Sequence, residues 1–159
     1  MRARLRGPSS DHSGKECAMK ISGIASLDHA PQVVAEWLNE LQEDLGWSDR
    51  ARAYLLFRTT LQTVRDFLTV DEAADLAAQL PLLIRGIFFE GWVPSQTPVH
   101  PRSVDDFLER VTRHFPTEPL VEPDVAVAAV FDLLRRHVSM GEFQQVAWAM
   151  RRPLRDLWM

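Results

Sequence analysis

The feature that most constrains the fold is an apolar residue at every third or fourth position along most of the chain. Two stripes show this spacing most clearly, formed by Val34, Trp37, Leu38, Leu41 and Leu45 and by Ala53, Phe57, Leu61, Val64 and Leu68. The second stripe has polar residues between its members, namely Arg58, Gln62 and Arg65. Such spacing places apolar side chains on one face of an α-helix. Because no useful strand alternation appears outside a proline-rich stretch at 91–103, the sequence predicts an all-α fold.

Residues that favour helix ends bound these first two segments. Asp28 is the expected N-cap of the first helix, and Gly46 is its expected C-terminal stop. Ser48 or Asp49 is expected to cap the second helix.

A second pair of helices follows in the same half of the chain. Thr69 and Glu72 have the spacing of a capping box and predict the start of a third helix. Pro81 is suited to open a fourth helix, which Gly91 is expected to end. Because the loops between these segments are short, we expect antiparallel neighbours packed as bundles.

The second half of the chain repeats this plan at a shift of 70 residues. Ser139 and Glu142 then coincide with the first capping box, and "IRGIF" (84–88) aligns with "LRDLW" (154–158). This agreement of caps, apolar phase and arginine positions predicts two tandem, related four-helix units packed as helical bundles. The predicted organisation is a basic, disordered tail at 1–27, a first unit at 28–92, a proline-rich connector at 93–102 and a second unit at 103–159.

Composition restricts the functional classes. The single cysteine, Cys17, excludes an internal disulfide framework and a thiolate zinc cluster. Residues 1–20 lack the apolar core of a signal peptide, and no apolar run is long enough to cross a membrane, so we expect a cytoplasmic protein. Residues 1–20 carry a net charge of +3, which leaves −7 on residues 21–159. Such an acidic body argues against nucleic-acid binding, and the basic tail is the one place where it remains an alternative.

Several motifs occur in order and together resemble a known family. They are "LTVDEA" (68–73), "QLP" (79–81), "IRGIFFEGW" (84–92) and "PLRDLW" (153–158). Over residues 30–158 the chain resembles the bacterial domain-of-unknown-function family numbered 2267. One departure is that "AMR" (149–151) stands in the second copy where the first has "QLP". The resemblance implies an all-helical, cytoplasmic, bacterial protein, and it implies no activity.

No catalytic constellation is recognisable. The five histidines are scattered without metal-ligand spacing, and no glycine-rich phosphate loop or nucleophile elbow is present. Asp105, Asp106 and Glu109 form an acidic cluster, which we explain as acids in the first turn of a helix capped by Ser103. We therefore expect no catalytic residues, no metal and no cofactor, and a protein that is more an interaction partner than an enzyme.

Arg85 and Arg155 occupy equivalent places in the two predicted units. One interpretation is structural, in which each arginine anchors a repeated contact to a helix carboxylate or a C-terminal carbonyl. The other is an anion site, in which Arg85 stands at a pocket between the units and holds a carboxylate or phosphate. The duplicated position favours the structural interpretation.

Three aromatic residues lie in five positions next to the connector. Phe88 continues the apolar side of the fourth helix and is expected in the core, whereas Phe89 and Trp92 must point elsewhere. They form either a clasp between the two units or a patch that binds a partner, since both ring types are enriched at binding hot spots. The leading hypothesis is a non-catalytic protein-interaction or self-association module, with an unidentified protein or a second copy as partner. The alternative is a protein that binds, or acts on, a small anionic molecule near Arg85.

Overall fold

The computed structural model describes residues 20–149 and 155–157. Its α-helices are α1 (Ala25–Leu45), α2 (Arg50–Phe67), α3 (Val70–Gln79), α4 (Leu82–Phe89), α5 (Val104–Thr112), α6 (Pro123–His137) and α7 (Met140–Ala149). Residues 155–157 are also helical. The described residues, taken together, contain no strand. The prediction of an all-α fold is confirmed. The expected disordered tail at 1–27 lies outside the described residues up to residue 19, and its last three residues belong to α1.

The N-cap of α1 lies four residues before the expected one. Ile24, in extended conformation, occupies the N-cap position, so the prediction that Asp28 caps the helix was wrong. The Asp28 carboxylate instead reaches back and accepts hydrogen bonds from the Ser22 amide at 2.8 Å and the Gly23 amide at 3.1 Å. These bonds, with one from the Ser22 hydroxyl, lower the pKa of Asp28. At the other end Gly46 terminates α1 with a positive φ of 65°, as expected.

Side-chain caps fix the starts of three further helices. The Asp49 carboxylate accepts from the Arg52 amide at the start of α2. Thr69 and Glu72 form the expected capping box of α3, with the Glu72 carboxylate accepting from the Thr69 amide at 2.9 Å. Ser103 forms the same arrangement with Asp106 at the start of α5. Each cap satisfies amides that the first helical turn leaves without a partner.

The buried apolar residues of both halves of the chain form one continuous hydrophobic core. Phe107 of α5 links the halves, because its ring lies 5.2 Å from that of Phe67 and 5.7 Å from that of Phe131, between ring centroids. Helix α1 packs against α6, α2 against α5 and α6, and α3 against α7. Helices of the second half thus cover helices of the first. The division into two four-helix units stays a prediction.

The connector binds the C-terminal end of α2. It contains a short 3₁₀ helix at Pro94–Gln96, and its Thr97–Pro98 and His100–Pro101 peptide bonds are cis. The Val99 amide donates to the Asp66 carbonyl at 2.8 Å, and an Arg102 Nη1 donates to the Phe67 carbonyl at 3.3 Å. The connector therefore satisfies two carbonyls that the last turn of α2 leaves open.

Candidate interaction surface on helix α4

Helix α4 buries one side and exposes the other. Ile84 and Phe88 are fully buried, which agrees with the core position expected for Phe88. On the opposite side Leu82 is 51% exposed and Leu83 is 42% exposed. Leu83, Gly86, Ile87, Phe89 and Glu90 line a shallow depression on this side, which we call the α4 surface. Contact of these apolar side chains with water is unfavourable, and an exposed apolar patch of this kind is typical of an interaction surface.

Phe89 and Trp92 lie at the C-terminal edge of α4, and each ring is half-buried against the core. The two rings stack with their centroids 5.0 Å apart, and Phe89 also meets Phe88 edge-on at 5.2 Å. Trp92 Nε1 is buried and finds no acceptor within the described ranges. Phe89 thus contacts both of the other rings, and part of it faces the α4 surface.

Side chains of α2 hold the C-terminal carbonyls of α4. Gln62 Nε2 donates to the Ile87 carbonyl at 3.0 Å. Arg65 Nη1 donates to the Phe88 carbonyl at 2.9 Å and to the Glu90 carbonyl at 2.8 Å. Arg65 is only 5% exposed, and its Nε also binds the Asp66 carboxylate at 2.9 Å. From the sequence, Arg65 is only a polar residue between apolar positions of α2. Sequence analysis did not predict its role, because its carbonyl partners lie more than 20 residues away.

Arg85 and Arg155 make corresponding contacts. Arg85 Nε donates to the Ala77 carbonyl at 2.9 Å, and Arg85 Nη2 donates to the Leu80 carbonyl at 3.1 Å. Arg155 Nε donates to the Ala147 carbonyl at 3.2 Å, eight residues before it as in the first case. Arg85 therefore binds carbonyls at the end of α3, and Arg155 binds carbonyls at the end of α7. These contacts favour the structural interpretation, and Arg85 is absent from the walls of the clefts described below.

A cleft of about 490 Å³ lies between the α1–α2 loop and residues 118–126. Its arginine, Arg52, is held by the chain itself, since Nη1 donates to the Glu118 carbonyl at 2.7 Å and Nη2 to the Pro119 carbonyl at 3.2 Å. The same guanidinium lies over the Trp47 ring, 4.9 Å from its centroid. These contacts explain Arg52 as a clamp between the loop and the segment before α6.

Within 20–149 and 155–157, no three His, Cys, Asp or Glu side chains are grouped so that they could hold a metal ion. In the same part of the chain, no helix combines the length and apolar character needed to span a bilayer.

Comparison with functionally curated proteins finds no match. Comparison with protein-family models finds one that matches residues 34–157 and is described as an uncharacterized conserved protein. The matched range holds most of α1, all of the helices from α2 to α7, and the α4 surface. It confirms the resemblance carried by the "LTVDEA", "QLP" and "IRGIFFEGW" motifs. The chain therefore belongs to the DUF2267 family.

Proposed function

We propose that the protein is a non-catalytic helical module that associates with a second copy of itself through the α4 surface. The observation that carries this proposal is the exposed apolar face of α4 with Gly86 at its centre. A glycine in the middle of a helix costs about 1 kcal/mol relative to alanine. Its presence on an exposed face is accounted for if another backbone approaches there closely.

The order of residues around Gly86 suits a two-fold contact. Leu83 lies three positions before Gly86 and Phe89 lies three positions after it. In an antiparallel pair of α4 helices crossing at Gly86, Leu83 of each copy would meet Phe89 of the other. A contact of this kind is self-complementary, as a two-fold dimer requires. This symmetry is the reason for choosing a second copy as the partner.

The size of α4 sets the expected strength of the contact. Eight helical residues extend about 12 Å, so the interface is small compared with those of permanent dimers. Phe89 supplies an aromatic anchor of the type found at binding hot spots, and the stacked Trp92 supports it from behind. We therefore propose a weak, concentration-dependent dimer in the cytoplasm, a location that a single cysteine supports.

The experiment is sedimentation equilibrium of the full chain at protein concentrations from about 1 μM to 1 mM, a range that brackets weak association. Gly86→Arg places a long side chain at the proposed crossing point. A Cβ built at Gly86 meets no atom within 4 Å, so this variant is expected to fold. Val121→Gln is the control, because Val121 is an exposed apolar residue on a different surface, before α6.

We expect the unchanged protein and Val121→Gln to dimerise with equal dissociation constants and Gly86→Arg to stay monomeric. A second variant, Leu83→Gln, should weaken the dimer at least about tenfold, since it removes an apolar group that meets Phe89 twice in the two-fold contact. Circular dichroism confirms that each variant is folded. If the unchanged protein is monomeric at every concentration, or if Gly86→Arg dimerises equally well, self-association through α4 is wrong.

A further inference from the structure

A second site lies away from the α4 surface, in a narrow cleft between α2 and α5. Its volume is about 120 Å³, and its walls are almost entirely polar. The side chains that give the cleft its character are Thr63, Arg65, Asp66, Arg110, Arg113 and His114. Arg110 lies in the last turn of α5, Arg113 is its C-cap and His114 is in the turn that follows, and all three line the cleft.

Positive charge dominates this cleft. Three arginines face one acidic residue, Asp66, which is already paired with Arg65. Arg113 is 3.6 Å from Glu109, but both side chains are about 70% exposed, so that pair contributes little. Within the described part of the chain, Arg110 has no carboxylate at ion-pair distance. The whole chain carries a net charge of −4, and the cleft therefore stands apart from the general charge of the protein.

Arg65 supplies a fixed donor in the wall of the cleft. Its Nε binds Asp66 and its Nη1 binds two carbonyls of α4, so the guanidinium is held in one orientation. Nη2 has no acceptor among residues 20–149 and 155–157, and Arg65 lines the cleft. An acceptor bound in the cleft would satisfy Nη2.

His114 reports the same electrostatic environment. Burial lowers the pKa of His114, and the charges of Arg58 and Arg113 lower it further. The positive charges of Arg58 and Arg113 disfavour protonation of His114, and the same charges would favour a bound anion nearby.

We propose that the α2–α5 cleft binds a single phosphate group, held by Arg65, Arg110 and Arg113. The guanidinium fork matches the oxygens of phosphate and forms paired hydrogen bonds with them. A volume of about 120 Å³ equals that of about four water molecules in the liquid, so the cleft has room for one phosphate group and not for the rest of a larger ligand. The group belongs either to free phosphate or to a small phosphate ester whose remainder lies outside the cleft. The proposal does not rest on the proposed dimer, because the cleft lies away from the α4 surface.

The test is isothermal titration calorimetry of the full chain with inorganic phosphate, with sodium chloride adjusted to keep the ionic strength constant. Arg110→Gln removes an arginine that makes no ion pair with any residue in the described ranges, so this variant is expected to remain folded. Arg135→Gln is the matched control, because Arg135 is about half-exposed on α6 and its one ion pair among the described residues is with Asp132. We expect saturable binding with a dissociation constant of about 1 mM or lower. Arg110→Gln should weaken it at least about tenfold, and Arg135→Gln should not change it.

Two further arms identify the source of the phosphate and the place of binding. Glycerol 3-phosphate that binds at least about tenfold more tightly than inorganic phosphate assigns the cleft to phosphate esters, and equal binding assigns it to the free ion. Nuclear magnetic resonance of the His114 imidazole gives a readout that folding alone does not move. Bound phosphate should raise the pKa of His114, since a nearby negative charge stabilises imidazolium against the opposing charges of Arg58 and Arg113.

Three results would overturn the proposal. One is the absence of saturable binding of either probe up to about 10 mM, where a site with a 1 mM dissociation constant would be nearly filled. Another is binding that Arg110→Gln and Arg135→Gln weaken equally. The last is saturable binding with no change in the His114 resonances, which would place the phosphate elsewhere.

Discussion

Replacing Arg65 by methionine removes the side-chain contacts that join α2 to the end of α4. Methionine preserves much of the buried aliphatic stem while it removes every donor. The Phe88 and Glu90 carbonyls then lose bonds of 2.9 and 2.8 Å, and Asp66 loses its partner. A buried polar group left without its partner costs about 1–3 kcal/mol, and breaking a buried ion pair costs about 3–5 kcal/mol. Because Asp66 is one-quarter exposed and the Glu90 carbonyl is only partly buried, we expect a total loss of about 3–5 kcal/mol.

Urea unfolding monitored by circular dichroism measures this loss as a change in the free energy of unfolding. Arg58→Met on the same helix is the control. Within residues 20–149 and 155–157 Arg58 makes no hydrogen bond or ion pair; it lies 5.7 Å from the centroid of the Tyr54 ring, and its charge acts on His114. Its loss should therefore cost less than about 1 kcal/mol. Arg65→Lys keeps a charge but loses the planar fork and should fall between the two. If Arg65→Met costs no more than Arg58→Met, the assignment of Arg65 as the residue that holds α4 is refuted.

Three other predictions concern the core and the helix caps. Phe107→Ala should cost about 3–5 kcal/mol and leave a single cooperative unfolding transition in calorimetry, whereas two separate transitions would contradict a core shared by both halves. Thr69→Ala removes the capping box of α3 and should cost about 1 kcal/mol in urea unfolding, and an unchanged midpoint would contradict the role of this cap. Hydrogen bonds from Ser103 hold the pKa of Asp106 below its usual value of 3.8 in the folded chain. The stability from this carboxylate is therefore present above about pH 4 and is lost as the pH falls through the folded pKa. Asp106→Asn should lack this part of the acid dependence, and identical pH profiles would contradict it.

Local patterns predicted the parts of the fold that depend on neighbours in sequence. The capping box at Thr69, the helix cap at Ser103, the stop at Gly46 and the buried position of Phe88 all follow from contacts within a few residues. The start of α1 was the exception. Asp28 has the chemistry of an N-cap, but its carboxylate captures amides that precede the helix, so the helix extends to Ala25.

Contacts between distant helices could not be predicted in the same way. Periodicity shows which face of a helix is buried but not which helix covers it, so it could not show that α1 packs on α6 or that α2 packs on α5. Both candidate sites depend on such pairings. The α2–α5 cleft brings Arg65 and Arg110 together across 45 positions, and no spacing rule joins them. The sequence indicated the exposed side of α4 only indirectly, because Phe88, Phe89 and Trp92 cannot all be buried by one helix face.

The position of Arg65 has a thermodynamic consequence for the two sites. One nitrogen of its guanidinium holds the carbonyls that end α4, while the side chain also lines the α2–α5 cleft. If a ligand in the cleft changed the hydrogen bonds that Arg65 donates to the end of α4, the two sites would be linked, and binding at each would change the affinity of the other by the same factor. Arg65 is thus the residue through which the two proposed sites would be coupled.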